Sequence, residues 1–186
     1  DMTGKLNSSE SSVVAKTAGC TNWQGTATWT YDITSGNSHS TASSVADVYF
    51  RNDQPPGTSS CGAEHLPCEV YYASGIVTFN RLDVVTQGCT TTIGPATATI
   101  GRTDGILQVY SDDPRHYEGT FMSVHVTGPG KTECPGDPVQ NYDYDDPDIW
   151  FRAPAGMFQV KNNGALIEDS YTLGDYHYSW HLEPAP

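Results

Sequence analysis

Four aspartates crowd the segment Asn141-Tyr142-Asp143-Tyr144-Asp145-Asp146-Pro147-Asp148, directly before the apolar Ile149-Trp150-Phe151. Like charges held this close repel one another, and a calcium ion, with about six to eight oxygen ligands, would relieve the repulsion. The segment lacks the glycine and distal glutamate of an EF-hand loop. Asp143, Asp145, Asp146 and Asp148 are therefore expected as loop ligands of calcium, the one cofactor the sequence suggests. A plainer reading stands beside it, because aspartate before proline is turn chemistry and recurs at Asp113-Pro114 and Asp137-Pro138.

The six histidines do not assemble into a metal or acid/base motif by spacing. His177 and His181 fall on one face of a strand about 13 Å apart, too far for one zinc ion with bonds near 2 Å. His39, His65, His116 and His125 have no partner identifiable in sequence. Neither a G-x-S-x-G elbow nor an H-E-x-x-H helix occurs. Glu64, Glu69, Glu118 or the aspartate segment offer paired carboxylates for glycoside hydrolysis, which needs two acids roughly 5 to 10 Å apart. An acidic chain always offers such pairs, so an enzyme is not the expected reading.

Aromatic residues are the richer signal, with 11 tyrosines and four tryptophans. Aromatic faces stack on sugars and anchor protein interfaces. Trp29, Trp150 and Trp180 sit in strand-like runs and are expected in the core. Trp23, Tyr117, Tyr142 and Tyr144 lie near expected loops and are the candidates for exposed contact with a glycan or a protein.

Composition narrows the setting. Five cysteines, at positions 20, 61, 68, 89 and 134, show no C-x-x-C pair, and the nearest two are separated by six residues. Structural disulfides in an oxidising compartment fit this better than zinc. The net charge of -13 repels nucleic-acid phosphates and anionic lipid. No apolar run is long enough to span a bilayer. A start at Asp1, without an initiator methionine or an apolar leader, reads as a mature secreted or surface-displayed product.

These features are positioned by strands. Short runs rich in Thr, Val, Ile, Tyr and Phe, punctuated by Gly, Pro, Asn and Asp, predict about ten of them, at 25–31, 45–50, 69–72, 76–85, 97–100, 106–110, 120–126, 149–152, 157–161 and 175–182. Within 25–31, Ala27, Trp29 and Tyr31 share one face and the threonines share the other. No stretch keeps helical spacing over three turns. The expected fold is all-β, an antiparallel two-sheet β-sandwich with its longest loops at 32–44, 52–68 and 128–144. Two loop-restraining disulfides follow, Cys61 with Cys68 and Cys89 with Cys134, leaving Cys20 as a buried thiol or an intersubunit latch.

Residues 1–19 read as an extended polar arm carrying an N-glycosylation sequon at Asn7, and 20–186 as the β-sandwich domain. Around Val13 and Val14 the arm is β-permissive and suited to adding a strand to an open sheet edge, in its own subunit or a neighbour. Repeated head to tail, that contact builds a filament. The sequence thus suggests a non-catalytic extracellular structural or self-assembling subunit, of filament or surface-layer type, whose partner is itself or another extracellular protein. A glycan-binding or adhesion module is the alternative, and an extracellular hydrolase the second.

Overall fold

The computed structural model describes residues 22–54, 59–62, 66–85 and 88–186; the expectations placed on the arm, Asn7, Val13, Val14, Cys20, Glu64 and His65 lie outside them. Among the described residues ten strands form one antiparallel sheet: β1 (Asn22–Ser35), β2 (Ser38–Asn52), β3 (Ser59–Cys61), β4 (Leu66–Val85), β5 (Thr90–Ile100), β6 (Ile106–Tyr110), β7 (His116–Glu133), β8 (Gln140–Gln159), β9 (Ile167–Leu173) and β10 (Tyr176–Ala185).

One layer runs β9-β10-β1-β2-β4. Along its free edge β4 pairs first with β6 and then with β5, and both of these also pair with β7, which carries β8 on its other side. The sheet thereby doubles back, and β7 and β8 lie over β10, β1, β2 and β4. Cross-layer contacts fix the stacking: Trp180 with Tyr117, Phe50 with Trp150 and Phe151, and Phe79 with Tyr144. The two layers expected as separate sheets are thus one continuous hydrogen-bonded surface.

Alternation explains the packing. Trp23, Ala27 and Trp29 of β1 point between the layers, as do Ala46, Val48 and Phe50 of β2, while Thr26, Thr28 and Thr30 face outward. The strands are longer than the apolar runs that announce them. The runs 69–72 and 76–85 are one 20-residue strand, β4, continuous through Gly75, where a Cβ would stand 2.1 Å from the Asp47 carbonyl oxygen. The segments expected as loops at 32–44 and 128–144 are mostly the outer reaches of the β1–β2 and β7–β8 hairpins. Two-residue turns close β1–β2 at Gly36-Asn37 and β9–β10 at Gly174-Asp175, with Gly36 and Gly174 left-handed at φ of 58° and 59°.

The disulfides join Cys61 to Cys68 and Cys89 to Cys134, the pairs that loop length suggests. The first fastens β3 onto the start of β4, over Tyr110 and Val70. The second ties the entry of β5 to the end of β7, at the same end of the molecule as the β1–β2 turn.

Candidate functional site

Near the tips of the β1–β2 and β9–β10 hairpins the layers part around a cleft of about 420 Å³. Its floor follows from register. One cross-strand row reads Tyr176, Tyr31, Ala42, Arg81, and the next reads Tyr178, Trp29, Ser44, Phe79. Ala42 and Ser44 sit in the middle of rows of large residues, so the floor dips where their side chains are short. β8 supplies the opposite wall with Tyr144, Asp148 and Arg152.

Ring contacts hold the walls. Phe79 and Tyr144 stack across the layers at 5.3 Å and 12°. Tyr176 meets Tyr31 at 5.0 Å and Trp29 edge-on at 5.4 Å. Tyr176 is 40% exposed at the mouth, and Trp29 is buried beneath it. Such offset and edge-on pairs fix ring orientation and preorganise the site.

Asp148 lies at the base, 3% exposed. Its Oδ1 accepts from Trp29 Nε1 at 2.7 Å and its Oδ2 from Ser44 Oγ at 2.6 Å. Burial raises its carboxyl above the ordinary value, and these two hydrogen bonds oppose the shift. Burial likewise raises the Tyr178 phenol, opposed by a hydrogen bond from Arg152, and raises that of Tyr144, opposed by the charge of Arg81. Arg81 is anchored through Nε, 2.9 Å from Asp83, which keeps its guanidinium protonated. Asp83 in turn accepts from Ser40.

The aspartate segment is strand rather than loop, because residues 141–148 pair with β7. Alternation separates the acids. Asp145 lies beside His125 on the outer face at 3.3 Å, whereas Asp148 is buried between the layers and spent on Trp29 and Ser44. Asp143 and Asp146 are exposed. Among the described residues no three His, Cys, Asp or Glu side chains gather as a metal ion requires, and pairing with β7 spreads the four aspartates expected as calcium ligands along a strand.

Two of the four aromatic candidates are also corrected. Trp23 is 1% exposed because β1 extends back to Asn22 and carries it inward in phase with Ala27 and Trp29. Tyr117 is 0% exposed in β7, its hydroxyl accepting from Trp180 Nε1 at 2.8 Å. Tyr142 is exposed, its ring laid over Gly130, and Tyr144 is half-buried in the cleft wall. The cleft's other members, Trp29, Tyr31, Phe79, Arg81, Arg152, Tyr176 and Tyr178, are not singled out by spacing. One signal did exist: Arg81 is in phase with the inward-facing Val77 and Phe79, a cation where alternation calls for an apolar residue.

Elsewhere, Glu69 accepts from Tyr71 and Arg115, and Glu118 lies opposite Gln108 beside Tyr110 of the smaller cluster around Cys61 and Cys68, its Oε2 buried. His181 bridges Glu168 and Glu183 on the outer surface, which raises its imidazole pKa. No described helix is long and apolar enough to cross a membrane. No protein-family model matches the chain, and no curated protein or solved structure matches it.

Proposed function

We propose that this protein is a secreted or surface-displayed binding module that takes a saccharide into the interlayer cleft. The observation that carries the reading is a preformed cleft of about 420 Å³, within the usual range of roughly 300 to 1,000 Å³ for ligand pockets. It is walled by six aromatic rings and edged by phenol and guanidinium groups. Aromatic faces take the C–H face of a sugar ring, and polar groups around them take its hydroxyls. Binding is favoured over hydrolysis because Asp148 is the one carboxylate among the described lining residues and both its oxygens are already hydrogen-bonded. Glycoside hydrolysis ordinarily uses two. The two disulfides support an oxidising compartment.

Titration of the protein against a panel of soluble glycans tests the reading. At least one should bind and lose roughly tenfold or more in affinity in Tyr176→Ala, given the weight of a buried aromatic contact. A panel on which nothing binds contradicts it.

Self-association is a second reading, favoured by the contrast between the two outer strands. β8 carries Pro147, Pro154 and exposed aspartates, devices that block strand addition. β9 has no proline, its acids Glu168 and Asp169 are paired with His181 and Lys161, and among the described residues it pairs only with β10. A subunit of a polymer should elute far above monomer size and return to monomer when residues 1–17 are deleted; a monomer indifferent to that deletion contradicts this reading.

A further inference from the structure

We infer that the saccharide taken by the cleft carries a carboxylate, as a hexuronic acid does, and that Arg81 and Arg152 receive it. The inference rests on the binding reading above and specifies its ligand. The protein carries a net charge of -13, yet two of its nine basic residues face this one cleft. The cleft's described carboxylate, Asp148, is turned into the structure, 3% exposed with both oxygens occupied. A ligand in the cleft therefore meets the two guanidinium groups, that of Arg81 paired with Asp83 on its Nε side, and does not meet Asp148.

Both arginines are held by groups other than a ligand. Arg81 is fixed to Asp83 through Nε, a bond that does not consume the terminal Nη atoms, and these form the fork that grips a carboxylate with two parallel hydrogen bonds. Arg152 is steadied against the Tyr178 hydroxyl. Tyr176, exposed at the mouth, offers a ring face to the sugar. The acidic surface outside the cleft repels a long polyanion, so the ligand has one acidic residue among neutral sugars rather than a polyuronate chain.

Methyl β-glucuronoside and methyl β-glucoside differ only in a carboxylate against a hydroxymethyl group, and titration of each into the full chain at neutral pH isolates the carboxylate. The glucuronoside should bind roughly tenfold or more tightly, the value of one charge-assisted hydrogen bond. Arg81→Gln and Arg152→Gln should each reduce the preference, and Arg152→Lys should retain part of it. Equal binding of the two glycosides, or a preference untouched in both glutamine variants, overturns the inference while leaving the cleft as a saccharide site. Binding of neither glycoside, with no response of the Trp29 indole to any glycan, overturns the inference together with the reading beneath it. Tighter binding of a polygalacturonate chain than of the monosaccharide overturns the single-carboxylate clause.

Discussion

The space between the layers is filled at one end and open at the other, although both ends are aromatic. Along β10 the inward residues run Leu182, Trp180, Tyr178 and Tyr176, with exposures of 0%, 3%, 4% and 40%. At the filled end Trp180 packs on Phe151 at 5.0 Å and Phe158 at 5.0 Å, and its indole hydrogen bond ends on Tyr117. Ala27 and Ala46 are small there too, but β8 brings Trp150 and Phe151 into that end, where both rings are buried against Phe50. At the open end the short side chains are Ala42 and Ser44, and the facing stretch of β8 offers Pro147, Asp148 and Arg152 instead. The same ring chemistry becomes a core or a binding wall according to what the opposite layer supplies.

Each end also has its own covalent restraint, Cys61–Cys68 at the filled end and Cys89–Cys134 at the open one.

The contrast can be broken most severely at the filled end. Trp180→Ala should destabilise the fold by about 3 to 5 kcal/mol, since a large buried aromatic is lost and the Tyr117 hydroxyl loses its donor. Guanidinium denaturation measures this, and a loss below about 1 kcal/mol would mean that this end is not a core.

Replacing Cys89 and Cys134 by alanine should cost about 4 kcal/mol, against about 2 for Cys61 and Cys68, because the chain-entropy contribution grows with sequence separations of 45 and 7. Equal costs in denaturant would remove the asymmetry between the two restraints.

At the junction of the ends, Asp148→Ala leaves the Trp29 indole and the Ser44 hydroxyl without their acceptor, at about 1 to 3 kcal/mol for each orphaned group. Asp148→Asn keeps an acceptor for one of them and should cost less. The two variants also carry a pH signature. Burial raises the Asp148 carboxyl, so the folded chain holds its proton at pH values where the unfolded chain has released it. Its contribution is fully present below the ordinary carboxyl value and is lost as pH rises through the raised one. Asp148→Asn should flatten that fall in a pH series of denaturation midpoints; an unchanged slope would assign it elsewhere.

The smallest effect on stability should come from filling the hollow. Ala42→Leu is expected to leave stability within about 0.5 kcal/mol while abolishing glycan binding, because the added carbons occupy ligand space rather than core. A variant that still binds the wild-type ligand would place the site elsewhere.

The difference between the ends also decides what was legible in the sequence. Strand alternation and disulfide pairing are readable because a buried face demands apolar residues and a long connection demands restraint. Residues 32–44 read as a loop because the outer reach of the β1–β2 hairpin is polar on both faces; pairs such as His39 with Asp32 at 2.8 Å run across it instead of a core. The aspartates of β8 read as a turn for the same reason, with the added signal of a proline that the strand tolerates at the sheet edge. Trp23 and Tyr117 read as near-loop residues because their strands outrun the apolar runs that mark them. The cleft itself depends on register, which sets Ala42 beside Tyr31 and Ser44 beside Trp29, and register is fixed only when strands far apart in the chain pair.

The four tryptophan indoles report on both ends at once. In a proton–nitrogen correlation spectrum recorded during titration with a glycan, the Trp29 indole, bonded to Asp148 under the cleft, should shift while those of Trp23, Trp150 and Trp180 stay in place. Saturable binding that moves the Trp150 or Trp180 signal and leaves Trp29 unmoved would contradict the assignment of the open end as the binding site.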